Sequence, residues 1–496
     1  MNADEFCNAG KQLVDFVADY LENIRDYPTV SPVHPGYLKE LVPDHAPEEA
    51  RSWEEVFEDF NKAIMPGITN FNNPNFHSLF PMTNSYPSIL AEILSNGLAC
   101  LSISWSASPA CTELEVAVMD WSGKMLQLPE EFLSGGKGGG VIQGSASEST
   151  LVALLAARER IISKQKKENL EMEDHDVMKK LVAYTSDEAH GCAERATHIG
   201  AVKCHFIESD PDGCMRGEAL DKAIQEDKEK GLIPFYVVAT LGTTATCAFD
   251  KLLEIGPICS REDCWLHIDA AYAGSAFICP EFRSYLDGVE FADSLTFNPH
   301  KWLLMNFECS AMWFKDVSYV VQAFSYPNAP VYLKDADGHN FPQFKDWQIP
   351  LSRRFRALKM WFVLQLFGVK KLQEHIRKTV QLAADFENLV LDDPMFEVTH
   401  KRILGLVCFN LKGQSKEANE KLVKMIQQDG RICLVPGTSK GQFFIRYCIC
   451  AARTNEDDVK FSWKVIKENA AKILDINKRI PTSVLPASGS RLPTTG

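Results

Sequence analysis

Lys301 closes the segment Ser294 to Trp302, SLTFNPHKW, in which a short β-type run stops at Asn298 and Pro299 prevents further ladder bonding. Open α/β sheets bind ligands at the carboxyl ends of their strands. A lysine held there beside Phe297, Trp302 and Leu303 can be desolvated, leaving its amine neutral at working pH and able to form a Schiff base. From this segment alone, a surface lysine after a turn is the commoner reading. A second segment, WLHIDAAYAG, places Asp269 at the end of another apolar run, followed by small residues that leave room for a flat ring. A carboxylate facing a pyridine nitrogen keeps it protonated and makes the ring an electron sink. Alone, Asp269 is also an acceptable turn or N-cap residue.

Three further segments supply the remaining chemistry. In GGGVIQGSASESTLVALLAAR, Ser145 and Glu148 have capping-box spacing at the head of an apolar helix, so free N–H groups and hydroxyls converge where a phosphate could sit. An ordinary helix cap has the same pattern. His190 in TSDEAHGCAER follows the strand-like LVAYTS, where an imidazole could stack on a ring and meet a substrate carboxylate, although a lone histidine is often structural. TLGTTATCAFD follows Phe235 to Thr240 and brings Thr243 or Thr244 to a strand's carboxyl end.

These segments need a frame. From about residue 85 to 375, helical stretches alternate with the apolar runs Phe235 to Thr240, Trp265 to Asp269 and Ser294 to Phe297. That pattern predicts an α/β domain with a mostly parallel sheet covered on both faces. Strands at Leu404 to Leu411 and Phe443 to Cys450, with helices near 416–428 and 456–474, predict a smaller α+β lobe. An amphipathic helix over 3–26 precedes a proline-rich stretch, Tyr27 to Pro47, that reads as an extended arm. The polar tail after about residue 475 is too poor in apolar residues to order itself.

Composition narrows the partners. A net charge of -14 disfavours nucleic acid and anionic membrane, because an acidic surface repels phosphate. No apolar run long enough to span a bilayer is present, and the first residues lack a signal-peptide pattern, so a cytoplasmic protein is expected. The fifteen cysteines are scattered, with Cys448 and Cys450 one residue apart and no Cys-x-x-Cys spacing. Reduced, mostly buried thiols and no metal site are expected.

In this order, and together with ISWSASPACTELE, HIDAAYAGSAF, FNPHKW and WQIPLSRRF, the five segments resemble the pyridoxal-phosphate-dependent group II amino-acid decarboxylases, in their aromatic-L-amino-acid, histidine and tyrosine branch. The resemblance runs from about residue 1 to 475. It implies the type I, aspartate aminotransferase-like fold and an obligate homodimer. The expected divisions are a helical arm over 1–84 exchanged between subunits, a cofactor domain over 85–375, a small domain over 376–475 and a disordered tail over 476–496.

The resemblance also implies roles. Lys301 carries the cofactor, pyridoxal 5'-phosphate, and Asp269 meets its ring nitrogen. Ala146, Ser147, Asn298 and His300 match phosphate-binding positions, Ala271 lies against the ring, His190 stacks on it, and Thr244 matches a ring-contacting threonine. Tyr332, in Tyr-Leu-Lys-Asp, matches a mobile-loop tyrosine that returns a proton to the substrate. The implied reaction is decarboxylation of an aromatic L-amino acid to its amine, with histidine decarboxylation or an aldehyde-forming synthase as alternatives.

The implied substrate pocket comprises Phe71, Leu79, Phe80, Pro81, Met82, Leu101, Ile103 and Ser352, and here the pattern is mixed. Ser352 resembles the histidine and plant tyrosine enzymes, whereas His300 in NPHK resembles the dopa type. Met82 stands where the dopa type has a threonine. Leu79, Phe71 and Ile103 replace larger aromatics, making the wall more aliphatic.

Overall fold

The computed structural model describes residues 1–325 and 341–479. Its larger sheet has seven strands: Gly139–Gln143 (β1), Leu181–Ser186 (β2), Lys203–Ile207 (β3), Ile233–Thr240 (β4), Trp265–Asp269 (β5), Ser294–Phe297 (β6) and Ser310–Phe314 (β7). They lie in the order β1-β7-β6-β5-β4-β2-β3. All neighbouring pairs are parallel except those of β7, which is antiparallel to both β1 and β6. Two reversals leave β1 running the same way as β6. The carboxyl ends of β1, β2, β4, β5 and β6 therefore open on one edge of the sheet.

Strand alternation feeds two cores. Val237, Ala239, Leu266 and Ile268 face one layer, while Tyr236, Val238 and Trp265 face the other. Side chains point alternately to opposite faces of a strand, so runs with no polar positions must be covered on both sides. The first layer includes part of the long helix Ala357–Leu391, and the second includes Ala146–Glu168.

The second sheet has four antiparallel strands, Phe396–Ile403 (β8), Leu406–Leu411 (β9), Val435–Ser439 (β10) and Gln442–Cys448 (β11), in the order β10-β11-β9-β8. With the helices Lys416–Asp429 and Glu456–Arg479 it encloses a separate core that begins at Leu382. The helix Ala357–Leu391 runs through the expected division at 375, interrupted at Gly368, whose φ of 67° an L residue adopts only with strain. The N-terminal helix spans Ala3–Glu22, and the proline-rich stretch holds only 3₁₀ turns such as Tyr37–Glu40.

Candidate active site

The strand ends converge on a cavity of about 180 Å³. Its lining includes Ala146 and Ser147 after β1, His190 after β2, Thr244 after β4, Asp269 and Ala271 at the end of β5, and Asn298 and Lys301 after β6. Residues scattered over more than 150 sequence positions thus meet because each ends or follows a strand pointing the same way. Backbone bonds fix the junction: Ala270 N–H donates to Thr296 O and Asn298 N–H to Ala271 O, each at 2.9 Å. Gly242 lines the same cavity at φ 91°, and a Cβ there would lie 2.7 Å from that of Ala273.

Burial lowers the Lys301 amine below the usual lysine range, with Asp269 pulling in the opposite direction. Its Nζ lies 5.9 Å from the centroid of the Phe80 ring, which stacks on Tyr272 at 3.7 Å. Asp269 is buried, and its Oδ1 accepts the Ala271 N–H at 3.0 Å. His190 is exposed at the rim, yet the protein crowding it lowers the imidazole, opposed by Asp269. Its Nδ1 accepts the Cys192 N–H at 3.1 Å, leaving Nε2 to carry the proton of the neutral ring.

Ser145 caps the helix Ala146–Glu168 by accepting the Glu148 N–H at 3.3 Å. The reciprocal half of the expected capping box is absent: Glu148 Oε2 accepts from Gly144 N at 2.9 Å, one residue before the cap. Ala146 and Ser147 keep first-turn N–H groups that no intrahelical carbonyl can reach. Two polar atoms of cavity-lining residues, Asn298 Oδ1 and Thr240 Oγ1, are buried without a partner. Amine, carboxylate, imidazole and helix terminus form a donor set that fits a phosphorylated pyridine aldehyde.

His300 is buried but is not among the lining residues. Its Nδ1 accepts the Cys309 N–H at 3.1 Å, and burial pushes the ring down to about 3. Of the eight expected pocket residues only Phe80 lines the cavity. Leu79, at φ 60°, is 48% exposed and Leu101 45%, while Phe71, Pro81, Met82, Ile103 and Ser352 also lie off the lining. Tyr332 lies outside the described residues.

Three neighbours escaped the sequence reading. Cys192 lines the cavity and Tyr272 supports Phe80. Arg446, buried on β11, reaches over from the small lobe: its Cζ lies 5.1 Å from the Phe80 centroid and its Nε donates to Ala245 O at 3.1 Å. The short DAAYAG context could have flagged Tyr272, but no local pattern distinguishes an arginine whose partner is two hundred residues away.

Comparison with known proteins agrees with this geometry. The profile described as Pyridoxal-dependent decarboxylase conserved domain matches residues 35–412. The aromatic-L-amino-acid decarboxylase of Cavia porcellus is 54% identical over 96% of this chain and 100% of its own length. The crystal structure of Catharanthus roseus tryptophan decarboxylase in complex with L-tryptophan superposes with a TM-score of 0.89 at 38% identity, covering 95% of this chain and 99% of that one. Rhodiola rosea 4-hydroxyphenylacetaldehyde synthase superposes with a TM-score of 0.88 at 37% identity and the same coverage. With its lysine and carboxylate on neighbouring strand ends and its likeness to these relatives extending nearly end to end, the chain belongs to the pyridoxal-dependent decarboxylase family.

Proposed function

We propose that this protein releases CO2 from an aromatic L-amino acid and yields the corresponding amine, using pyridoxal 5'-phosphate. The observation that carries the reading is Asp269 at the end of one strand and Lys301 just after the adjacent parallel strand, both in one cavity, within a chain 54% identical to an aromatic-L-amino-acid decarboxylase. Pyridoxal phosphate, when bound, supplies an electron sink for the pair left by the departing carboxylate.

The chain's own residues then have separable tasks. Lys301 presents a desolvated Nζ suited to binding the cofactor's aldehyde carbon. Asp269 would hold a proton at the pyridine nitrogen, while Ala146, Ser147 and Asn298 would hold the phosphate; the resemblance adds His300, which lies off the cavity lining. Ala271 and His190 confine the ring, Thr244 contacts it, and His190 Nε2–H is available to orient a substrate carboxylate. The orientation in which that carboxylate is held would select which bond breaks. The family resemblance assigns to Tyr332 the return of a proton to the substrate Cα.

Phe71, Leu79, Pro81, Met82, Leu101, Ile103 and Ser352 are assigned to the wall around the substrate side chain, completed by a second copy of the chain. One exposed stripe supports the homodimer: Leu90, Ile93, Leu94 and Leu98 lie on one face of the helix Tyr86–Leu98, with Leu98 61% exposed. Phe6, Leu13 and Val14 expose a further apolar face on the N-terminal helix. Stripes of this kind are covered by partners in stable oligomers. The 1–84 arm is the segment assigned to subunit exchange, with 85–375 and 376–475 as cofactor and small domains. Fifteen free thiols suit a reducing compartment such as the cytoplasm, and no helix among the described residues is long and apolar enough to cross a membrane.

Incubating the purified holoenzyme with L-dopa, tyrosine, tryptophan, 5-hydroxytryptophan and histidine tests the proposal. An aromatic amine with stoichiometric CO2 is expected. Turnover of histidine alone, or aldehyde as the main product, would overturn it.

A further inference from the structure

Cys192 is the first residue of the helix Cys192–Ile199 and lines the cavity without a place in the chemistry above. Its Sγ lies 3.6 Å from Asp269 Oδ2 and 3.8 Å from Thr150 Oγ1. Thr150 stands in the second turn of the helix whose first turn faces the phosphate position, and its hydroxyl donates to Ala146 O at 2.9 Å. The one thiol proton therefore has two candidate acceptors, a threonine oxygen and a carboxylate. An ionised acceptor makes the stronger hydrogen bond, so the S–H points at Asp269.

Asp269 thus receives one donor on each oxygen: the backbone of Ala271 on Oδ1 and the thiol of Cys192 on Oδ2. The first comes from a turn that backbone bonds to β6 hold in place. The second comes from another element, and the two together set the carboxylate's rotation about χ2. Burial holds the Cys192 thiol protonated, so it remains a donor. The backbone N–H of the same residue anchors His190 Nδ1.

We propose that Cys192 is a positioning residue for the decarboxylation: its thiol, presented by a helix separate from the strand that carries Asp269, orients the Asp269 carboxylate. The inference rests on the functional reading above. It acts through Asp269 and has no contact with the reacting bond. Because the His190 anchor is a backbone group, changing the Cys192 side chain separates the two contacts.

The test uses Cys192→Ala and Cys192→Ser. Cofactor affinity is measured by quenching of apoenzyme tryptophan fluorescence, alongside apoenzyme melting temperature, kcat and KM. Losing a hydrogen bond to a charged group should weaken pyridoxal phosphate binding by about tenfold in Cys192→Ala. kcat should fall, while KM for the amino acid changes by less than about twofold. Cys192→Ser keeps a donor and should recover affinity to within about threefold of the unmodified enzyme. In an Asp269→Asn background, Cys192→Ala should have no further effect on affinity. Unchanged affinity in Cys192→Ala, a serine variant as weak as the alanine one, or full additivity with Asp269→Asn would each overturn the assignment. If Cys192→Ala does not fold, Cys192→Val, which also lacks a donor, replaces it in both backgrounds: an affinity loss equal in the two refutes the coupling. An unmodified enzyme that binds no pyridoxal phosphate would instead overturn the functional reading itself.

Discussion

Asp269, Asn298 and Ala146 are buried at strand and helix ends, whereas Leu79, Leu101 and Ser352, assigned to the same site, are exposed. The floor residues Asp269, Asn298 and Ala146 all come from one chain. The floor rests on five strand ends, and its conformation is fixed by backbone bonds such as Asn298 N to Ala271 O. The residues assigned to the wall lie on connecting segments, and Leu79 there sits at a positive φ. Cofactor chemistry tolerates little displacement, so it belongs on a rigid sheet edge. Side-chain selection can be built on loops and completed by another subunit.

The largest expected effect breaks the floor. Lys301→Ala should remove the bound-cofactor absorbance and reduce CO2 release by at least about 10³-fold, with little change in the apoenzyme's melting temperature. Radiometric CO2 release and an absorbance scan check it. Retention of either signal would mean that another lysine holds the cofactor.

Next comes the proposed dependence of the wall on a second copy. Leu94→Asp places a charge on the exposed stripe of Tyr86–Leu98 and should convert the proposed dimer to monomer in light scattering. Activity should fall by about tenfold or more while the large-domain sheet survives in circular dichroism. A fully active monomer would show that the wall is complete in one chain.

A smaller change sharpens the contrast. Ser352→Gly should shift kcat/KM from tyrosine toward tryptophan by about 1–3 kcal/mol, with cofactor affinity unaltered. An altered affinity with no shift in preference would move Ser352 from wall to floor.

The smallest effect near neutral pH concerns stability. Burial holds His77, His267 and His375 at about 4, and His300 at about 3, below the ordinary 6.5. Below about 6.5 the unfolded chain takes up protons that these folded sites refuse. Their contribution is therefore complete above 6.5 and is lost as pH falls toward 4. Asp250, raised by burial to about 7 from 3.8, works the other way, its contribution lost as pH rises across that interval. Four groups outweigh one, so thermal melts should show a lower melting temperature at about pH 5 than at about pH 7. A higher value at pH 5 would assign control to Asp250.

Strand identity was legible in the sequence because a strand covered on both faces is predominantly apolar, with only short polar residues or hydrogen-bonded ones between. Trp265–Asp269 and Ser294–Phe297 have the expected bounds, and Phe235 to Thr240 lies within Ile233–Thr240. Their terminal Asp269 and neighbouring Lys301 followed from the same logic, since chemistry gathers where parallel strands stop. The antiparallel β7 was not legible: SAMWF is as apolar as its neighbours, and strand direction leaves no mark on composition. Nor did spacing show that Glu148 would reach past its cap to Gly144. Only tertiary structure brought Cys192 to Asp269 and Arg446 to Phe80, because those contacts join elements whose proximity is set by sheet order and lobe docking. The sequence by itself determined which residues can do the chemistry, through local patterns of polarity and turn formation. The fold decided which distant side chains orient them, since that requires the whole sheet to be in place.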